Sequence, residues 1–346
     1  MRFGRAVRFV LLGCLAWASS PATQAWASED CWLQHRATVY EWMCAHRHLP
    51  ASGREFALGV LVVDSPKAVM VVDSGATAVV GEALARDVRQ RFGAKPLWIL
   101  NTQPKPEHVL GNIGFRDVFR DTLKPEESFA QRIVAGKLTS DLMAKRCPEC
   151  ISKFAQRMGA AQVAGTLPVV PLRILRAESG HLGALNPDWV GWKYRLHKNI
   201  ETEEALVLNN RELNIRWVGS AVQDRAVPDL YDGDVVARID FLHRLLVRGR
   251  AEETLMTSFG VLGRDAVKRN LDYFVDLHRS VLVGLEQGVS EVELIRQLSE
   301  PLQNAQPSQG QGVYLDPDAA QARARALETH QLNIQRVYRQ TEPLVF

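Results

Sequence analysis

The stretch "NTQPKPEHVLGN", residues 101–112, decides how the rest of this sequence is interpreted. It follows the apolar run "PLWIL" at 96–100 and leads to a helical pattern, so it predicts a loop between a strand and a helix. Upstream, "AVMVVDSG" at 68–75 predicts a strand, and "TAVVGEALARDVRQRFG" at 77–93 predicts a helix that ends at Gly93. Strands that alternate with helices in this way indicate an α/β protein.

The second half of the chain repeats the mixture of strands and helices. "EALVLNN" at 204–210 and "ELNIRWVG" at 212–219 predict a hairpin, and "ETLMTSFG" at 253–260 predicts another strand. Helical patterns cover 232–249, 264–288 and 318–342. Between them, residues 124–187 are interpreted as a helical insertion rather than a separate domain. We therefore expect one large domain over 28–302, followed over 303–346 by a polar linker and a C-terminal helix.

The first 27 residues have the features of an export signal. Three arginines precede an apolar stretch, and Ala25-Trp26-Ala27 resembles a cleavage site before Ser28. The alternative is a lipoprotein anchored through Cys14. Without the signal the formal net charge of +3 falls to about zero, which gives no indication of nucleic-acid binding. No other stretch is apolar enough to span a membrane, so the mature chain is predicted to be periplasmic.

Four cysteines remain after the signal, and an even number in an oxidising compartment indicates disulfides. They are Cys31, Cys44, Cys147 and Cys150. Of the three possible pairings, Cys31–Cys44 with Cys147–Cys150 is the simplest. The C-x-x-C in "RCPECISKF" has two interpretations, a structural bridge, which we favour, or a redox-active pair. A zinc knuckle would need a second closely spaced pair.

Several segments, in this order, resemble the metallo-β-lactamase superfamily. They are "VVDSG", "WILNTQPKPEHVLGN", "VPDLYDGDVVARIDFLHRLL", "LMTSFGVLG" and "NIQRVYRQTE". The resemblance implies an αββα sandwich, here with the helical insertion. The branch that the chain resembles is periplasmic and is associated with quinoprotein dehydrogenases and with sulfur oxidation.

In that superfamily, histidines and aspartates from strand-end loops hold one or two zinc ions, and most of them are replaced here. Gln103 and Lys105 stand where two histidines belong, Glu107 replaces an aspartate, and His108 matches. Ser220 replaces the bridging aspartate and Phe259 the late histidine. Such a set does not make a tight zinc site. Glu107 and His108 would be the ligands if any metal bound, with His181 as a displaced candidate.

The opening loop is therefore interpreted as the remains of a metal site. Lys105 either takes the place of the metal, with Gln103, Glu107 and His108 around its ammonium, or points to solvent. Asp73 is expected to accept hydrogen bonds from the backbone of the neighbouring loop. No phosphate loop and no Ser-His-Asp motif is recognised in the sequence.

Three functions are compatible with this pattern. The favoured hypothesis is a non-catalytic accessory protein of a periplasmic quinoprotein or sulfur-oxidation system. It would bind a protein partner or a small ligand and need no cofactor. The second is a hydrolase with a sparse or displaced zinc site, and the third is a thiol-disulfide protein that uses Cys147 and Cys150. The sequence leaves the ligand and the oligomeric state open.

Overall fold

The computed structural model describes residues 31–225, 227–250, 252–304 and 317–345. Within these residues, seven strands follow one another in chain order across a first sheet. They are β1 Trp32–Arg36, β2 Val39–Trp42, β3 Val60–Asp64, β4 Val69–Val72, β5 Leu97–Leu100, β6 Ile133–Gly136 and β7 Arg173–Leu175. The pairs from β1 to β4 are antiparallel and those from β4 to β7 are parallel.

A second sheet is built from the strands that follow. They are β8 Ser179–His181, β9 Trp192–Lys198, β10 Glu204–Asn210, β11 Ile215–Trp217, β12 Thr254–Thr257 and β13 Gly260–Leu262. Their order across the sheet is β13-β12-β11-β10-β9-β8, and β10 and β11 form the predicted antiparallel hairpin. Trp98 from the first sheet, Trp217 from the second and Trp189 from the segment between β8 and β9 help to fill the space between the sheets. Their burial holds the two sheets face to face.

Helices cover the outer faces of both sheets. They are α1 Ala78–Phe92, α2 Pro106–Val109, α3 Asn112–Val118, α4 Lys137–Met158, α5 Val235–Arg248, α6 Arg264–Glu286, α7 Glu291–Asn304 and α8 Pro317–Val345. One apolar core lies between the first sheet and α1, α3 and α4, and another between the second sheet and α5 to α8. The layers are thus helix, sheet, sheet and helix, which confirms the predicted αββα sandwich.

The region 124–187 is helical only in part, so its interpretation as a helical insertion is wrong where β6, β7 and β8 lie. Short apolar runs such as 133–136 cannot be assigned to a strand or a helix by periodicity alone. Helix α4 connects the parallel strands β6 and β7, a connection that such strands need. The Glu204 carboxylate accepts from Thr139 N at 3.0 Å in the first turn of α4 and so joins the helix to the second sheet.

The structure confirms one predicted disulfide and lacks the other. Cys31 and Cys44 are bonded, with their Cα atoms 5.1 Å apart. Cys147 and Cys150 are free thiols on α4, so the predicted bridge between them is not present. The Cβ atoms of residues three apart on a helix are about 5–6 Å apart, whereas a disulfide needs about 3.8 Å. A bridge here would therefore distort the continuous helix.

The predictions about the chain termini have different outcomes. The signal at 1–27, Cys14 and most of the linker lie outside the described residues. No helix in the described ranges is long and apolar enough to cross a membrane. The predicted C-terminal helix is α8, and its Ile334 and Val337 are fully buried in the core against the second sheet.

Candidate functional site

The loop that opened the sequence analysis is held in place by its last two residues. A Cβ at Gly111 would come within 1.9 Å of Ser74 O, so only glycine permits this approach to the loop after β4. Asn112 then exchanges two side-chain hydrogen bonds with Asn101, at 3.2 and 2.8 Å. The Gly-Asn pair therefore closes the loop on itself, and Gln103, Lys105 and His108 in this loop contact Ser220, which follows β11.

Asp73 joins this loop to the end of β4. Its backbone is left-handed, with φ of 67°. Its carboxylate accepts from Thr102 N at 2.8 Å and from Thr102 Oγ1 at 2.7 Å, which is the backbone contact expected for it. Asp73 Oδ2 also lies 2.7 Å from His108 Nδ1. Burial by itself would lower the pKa of His108, but the charge and hydrogen bond of Asp73 outweigh it, and the pKa is raised.

The other nitrogen of His108 faces two polar side chains. Nε2 lies 3.2 Å from Ser220 Oγ and 3.1 Å from the amide nitrogen of Gln103. The same amide nitrogen donates to Ser220 Oγ at 2.8 Å. Gln103 Oε1 is buried with no hydrogen-bond partner among the described residues. If the amide turned over, this oxygen would accept a hydrogen bond from a protonated Nε2, so the orientation of Gln103 and the protonation of His108 are coupled.

Lys105 lies within the cluster and not in solvent. The residue is 3% exposed, and its ammonium forms an ion pair with Glu201, which is fully buried. Lys105 Nζ also donates to Ser220 Oγ at 3.3 Å and lies 4.0 Å from the centroid of the Tyr231 ring. A carboxylate, a hydroxyl and an aromatic face thus surround the ammonium, which compensates for its loss of water.

A second buried cation acts on Glu201 through its charge. Arg238 on α5 is fully buried and donates to Ala221 O at 2.5 Å and to Asp229 O at 2.9 Å. Burial by itself would raise the pKa of Glu201, but the charges of Lys105 and Arg238 lower it overall. The charges of Lys105 and Arg238 therefore favour the ionised form of Glu201.

The loop that carries Tyr231 is held by the C-terminal helix. Asn333 on α8 donates to Pro228 O at 2.8 Å and accepts from Leu230 N at 3.0 Å. Tyr231 has a left-handed backbone, with φ of 55°, a conformation that costs about 1–3 kcal/mol for such a residue. The contacts from α8 offset this strain, and the loop keeps the ring of Tyr231 on the ammonium of Lys105.

The structure separates the predicted site residues into two groups. Asp73, Gln103, Lys105, His108 and Ser220 form one contiguous buried cluster. The predicted pairing of Lys105 with Glu107 is wrong, because Glu201 has that role.

The remaining candidates lie outside the cluster. Glu107 is half-buried. Phe259 is also half-buried, and the guanidinium of Arg225 lies 4.8 Å from its ring centroid. His181 is exposed on the edge strand β8 and pairs with Lys193, which pairs with Asn209 near the far end of β10. His181 therefore lies toward the opposite end of the sheet from Glu201.

Sequence analysis missed three residues of the cluster, namely Glu201, Tyr231 and Arg238. One of them had a signal in the sequence. Arg238 falls on the apolar face of α5 with Val235, Phe241 and Leu242, and a charge on a buried helix face indicates a buried partner. Glu201 and Tyr231 lie in loops, where no periodicity reveals which side chains point inward.

The donor set does not fit zinc. The ammonium of Lys105 lies among the side chains that stand in the ligand positions, and it repels a divalent cation. Both nitrogens of His108 are engaged by Asp73 and by Ser220 and Gln103. The described residues contain no group of three or more histidine, cysteine, aspartate or glutamate side chains that could hold a metal ion. The described side chains of this cluster thus form a buried, salt-bridged network whose donors do not suit a divalent cation.

Ser220, His108 and Asp73 follow one another in the order of a serine hydrolase triad. Two further contacts argue against that chemistry. Ser220 is only 3% exposed, and its oxygen accepts from Gln103 and from Lys105. A nucleophile must reach a carbonyl carbon with a free lone pair, and these contacts leave Ser220 Oγ neither room nor a lone pair. The three residues therefore form a structural hydrogen-bond chain.

The cysteine pair of α4 does not have the properties of a reactive thiol pair. Burial raises the pKa of Cys147 to about 12, and burial also raises that of Cys150. Redox-active C-x-x-C motifs depend on a lowered thiol pKa, because the thiolate is the attacking species. The pKa values therefore weigh against the thiol-disulfide hypothesis.

Comparison with solved structures supports the fold. The DIM-1 metallo-β-lactamase exposed to ceftazidime is 11% identical, with 71% of this chain and 96% of that chain covered and a TM-score of 0.51. A metallo-β-lactamase from Pontibacter korlensis is 14% identical, with 71% and 98% covered and a TM-score of 0.51. One from Erythrobacter litoralis is 16% identical, with 71% and 96% covered and a TM-score of 0.51.

No protein-family profile matches the chain, and neither does any curated protein. Identities of this size show a shared fold and nothing about activity. The chain therefore has the metallo-β-lactamase fold.

Proposed function

We propose that this chain is an exported, non-catalytic binding protein built on a hydrolase fold, in which the Lys105–Glu201 ion pair replaces zinc. The observation that carries the proposal is the position of the Lys105 ammonium, buried against Glu201, Ser220 and Tyr231. An ammonium supplies fixed positive charge to the surrounding carboxylates, but it cannot activate water as a bound metal does. The site keeps the internal electrostatics of the fold without its hydrolytic chemistry.

The protein would act in the periplasm as an accessory of a quinoprotein or sulfur-oxidation system. This pathway is inferred from the sequence resemblance alone. The signal-like residues 1–27 and the Cys31–Cys44 disulfide support an oxidising location. Its partner would be a periplasmic protein or a small ligand.

Zinc binding tests the metal-free part of the proposal. Zinc added to the chelator-treated mature protein should leave the melting temperature unchanged. A site filled at 100 times its Kd would instead stabilise the fold by about 2.7 kcal/mol. The matched control is His108→Gln, which removes the one superfamily histidine that is kept. Stoichiometric zinc that persists through dialysis and is lost in His108→Gln would contradict the proposal and support the zinc hydrolase.

The accessory role is tested by gene deletion in the source organism. Deletion should lower quinoprotein dehydrogenase activity or thiosulfate oxidation, and the wild-type gene should restore it. A folded His108→Gln protein, checked by circular dichroism, should restore it equally well, because the role needs no catalytic histidine. Failure of this variant to complement, despite a native spectrum, would show that His108 has a chemical role.

A further inference from the structure

A second polar site lies at the other end of the β10–β11 hairpin from the buried cluster. Glu201 precedes β10 and Ser220 follows β11, so both lie at the open end of the hairpin. Asn209 and Arg216 pair with each other near its turn, beside a cavity of about 290 Å³. The residues that line the cavity come from the hairpin, the end of α5 and the segment before β12; they are Asn209, Arg211, Arg216, Arg248, Arg250 and Glu253.

Positive charge dominates this cavity, because four guanidinium groups face a single carboxylate. That carboxylate is already engaged, since Arg216 Nη2 donates to Glu253 Oε1 at 3.0 Å and Arg216 Nε lies 3.0 Å from Oε2. Arg250 Nη2 donates to the backbone oxygen of Arg211 at 3.3 Å. The Arg211 and Arg248 side chains have no ion-pair or hydrogen-bond partner in the described part of the chain.

A side-chain amide in the same wall is also unsatisfied. Asn209 Oδ1 is buried and has no hydrogen-bond partner among residues 31–225, 227–250, 252–304 and 317–345. A buried amide atom without a partner is costly, because its lost hydrogen bonds to water are not replaced. The two ends of an amide can be exchanged by rotation, so Asn209 can present N–H groups to a ligand in the cavity.

The four arginines supply more positive charge than the C-terminal end of α5 needs. A single arginine in the last turn of a helix complements the partial negative charge of its carbonyls, and Arg248 alone would satisfy this. Four guanidinium groups around one concave space instead repel one another and concentrate positive potential there. Guanidinium groups bind the paired oxygens of phosphate and sulfate through two parallel hydrogen bonds.

We propose that this cavity binds a small, multiply charged oxyanion that carries phosphate or sulfate groups. The volume of the cavity is close to the lower limit for small-molecule pockets, about 300 Å³. We therefore expect a ligand of about the size of pyrophosphate. The anion would lie against Arg211 and Arg248, the two cations without partners, and accept from the Asn209 amide. The site is independent of the proposed function, because no residue of the buried cluster takes part.

Isothermal titration of the full mature chain with inorganic pyrophosphate tests the proposal. At about physiological ionic strength, where exposed charges more than about 8 Å apart are largely screened, we expect saturable binding of one ligand per chain. Arg248→Ala should weaken binding about tenfold or more, as for a lost charge-assisted hydrogen bond. Arg211→Ala, in the exposed turn, should also weaken pyrophosphate binding.

The matched control is Arg244→Ala, one turn earlier on α5. Arg244 lies outside the cavity and forms an exposed pair with Asp240 at 3.5 Å. Its loss removes the same charge from the same helix and should leave the affinity unchanged. Melting temperatures of all variants show whether each is folded.

Vesicles distinguish the sources of the anion. Binding to phosphatidylcholine vesicles that contain phosphatidylglycerol, lost in Arg248→Ala, would identify a lipid headgroup as the ligand. Binding to free pyrophosphate alone would identify a soluble anion, and both results support the site. The proposal is overturned if the wild-type chain binds neither pyrophosphate, sulfate nor these vesicles. It is also overturned if Arg244→Ala weakens binding as much as Arg248→Ala.

Discussion

Replacing Lys105 with methionine should destabilise the protein by about 3–5 kcal/mol, the cost of removing one partner of a buried ion pair. Lys105 is 3% exposed and Glu201 is fully buried, so the remaining carboxylate would keep its charge without water. At about 4 Å and an effective dielectric constant of about 20, the lost Coulomb attraction is about 4 kcal/mol. The charge of Arg238 still acts on Glu201 in the variant. We therefore expect the loss of stability to lie near the lower end of this range.

A double-mutant cycle isolates the pair from the loss of the lysine side chain. Glu201→Gln removes the carboxylate charge and should partly rescue Lys105→Met, so that the double variant is more stable than the sum of the single changes predicts. Residues in one ion-pair network show coupling energies of about 0.5–3 kcal/mol. We expect a value in the upper half of this range.

The assay is urea unfolding followed by tryptophan fluorescence. Trp42 is buried in the core between the first sheet and its helices, and Trp189 and Trp217 are buried between the two sheets. Glu107→Gln is the matched control, since Glu107 is also acidic and lies two residues from Lys105 but is not its partner. It should show no coupling to Lys105→Met. The reasoning is refuted if Lys105→Met stays within about 0.5 kcal/mol of wild type, as a surface substitution does, or if Glu107→Gln rescues it instead.

Three further predictions concern pH, thiols and export. Because the folded pKa of His108 is raised above its ordinary 6.5, its pair with Asp73 stabilises fully below that pH. The free energy of unfolding should therefore fall as pH rises through the folded pKa, and His108→Gln should flatten this decline in urea titrations. Cys147 and Cys150 should react slowly with a thiol reagent in the native protein. After unfolding without a reductant, both should react. If they did not react in the unfolded protein, they would be joined by a disulfide. Mass spectrometry of the exported protein should find Ser28 at or near its N-terminus, and a lipid-modified start would contradict this.

Local patterns in the sequence were sufficient for the fold class. The alternation of short β-branched runs with amphipathic helices predicted an α/β protein, because side-chain period reports which face of an element is buried. The αββα layering was implied by the resemblance to the metallo-β-lactamase superfamily. The pattern failed in 124–187, where β6 is too short to show a period. The resemblance also singled out Gln103, Lys105 and Ser220, which the structure brings together in one buried cluster.

The partners within the site were decided by the tertiary structure. Glu201 lies 96 residues after Lys105 in a loop without a periodic pattern, and Glu107, two residues away, was the obvious local partner. The choice between them depends on which carboxylate faces the ammonium when the sheets pack. Tyr231 contacts the same ammonium from a loop that is left-handed at this residue and that is hydrogen-bonded to α8 at Pro228 and Leu230. Sequence encodes which segments are buried, whereas the pairing of buried charges depends on distances that exist only after those segments have packed together.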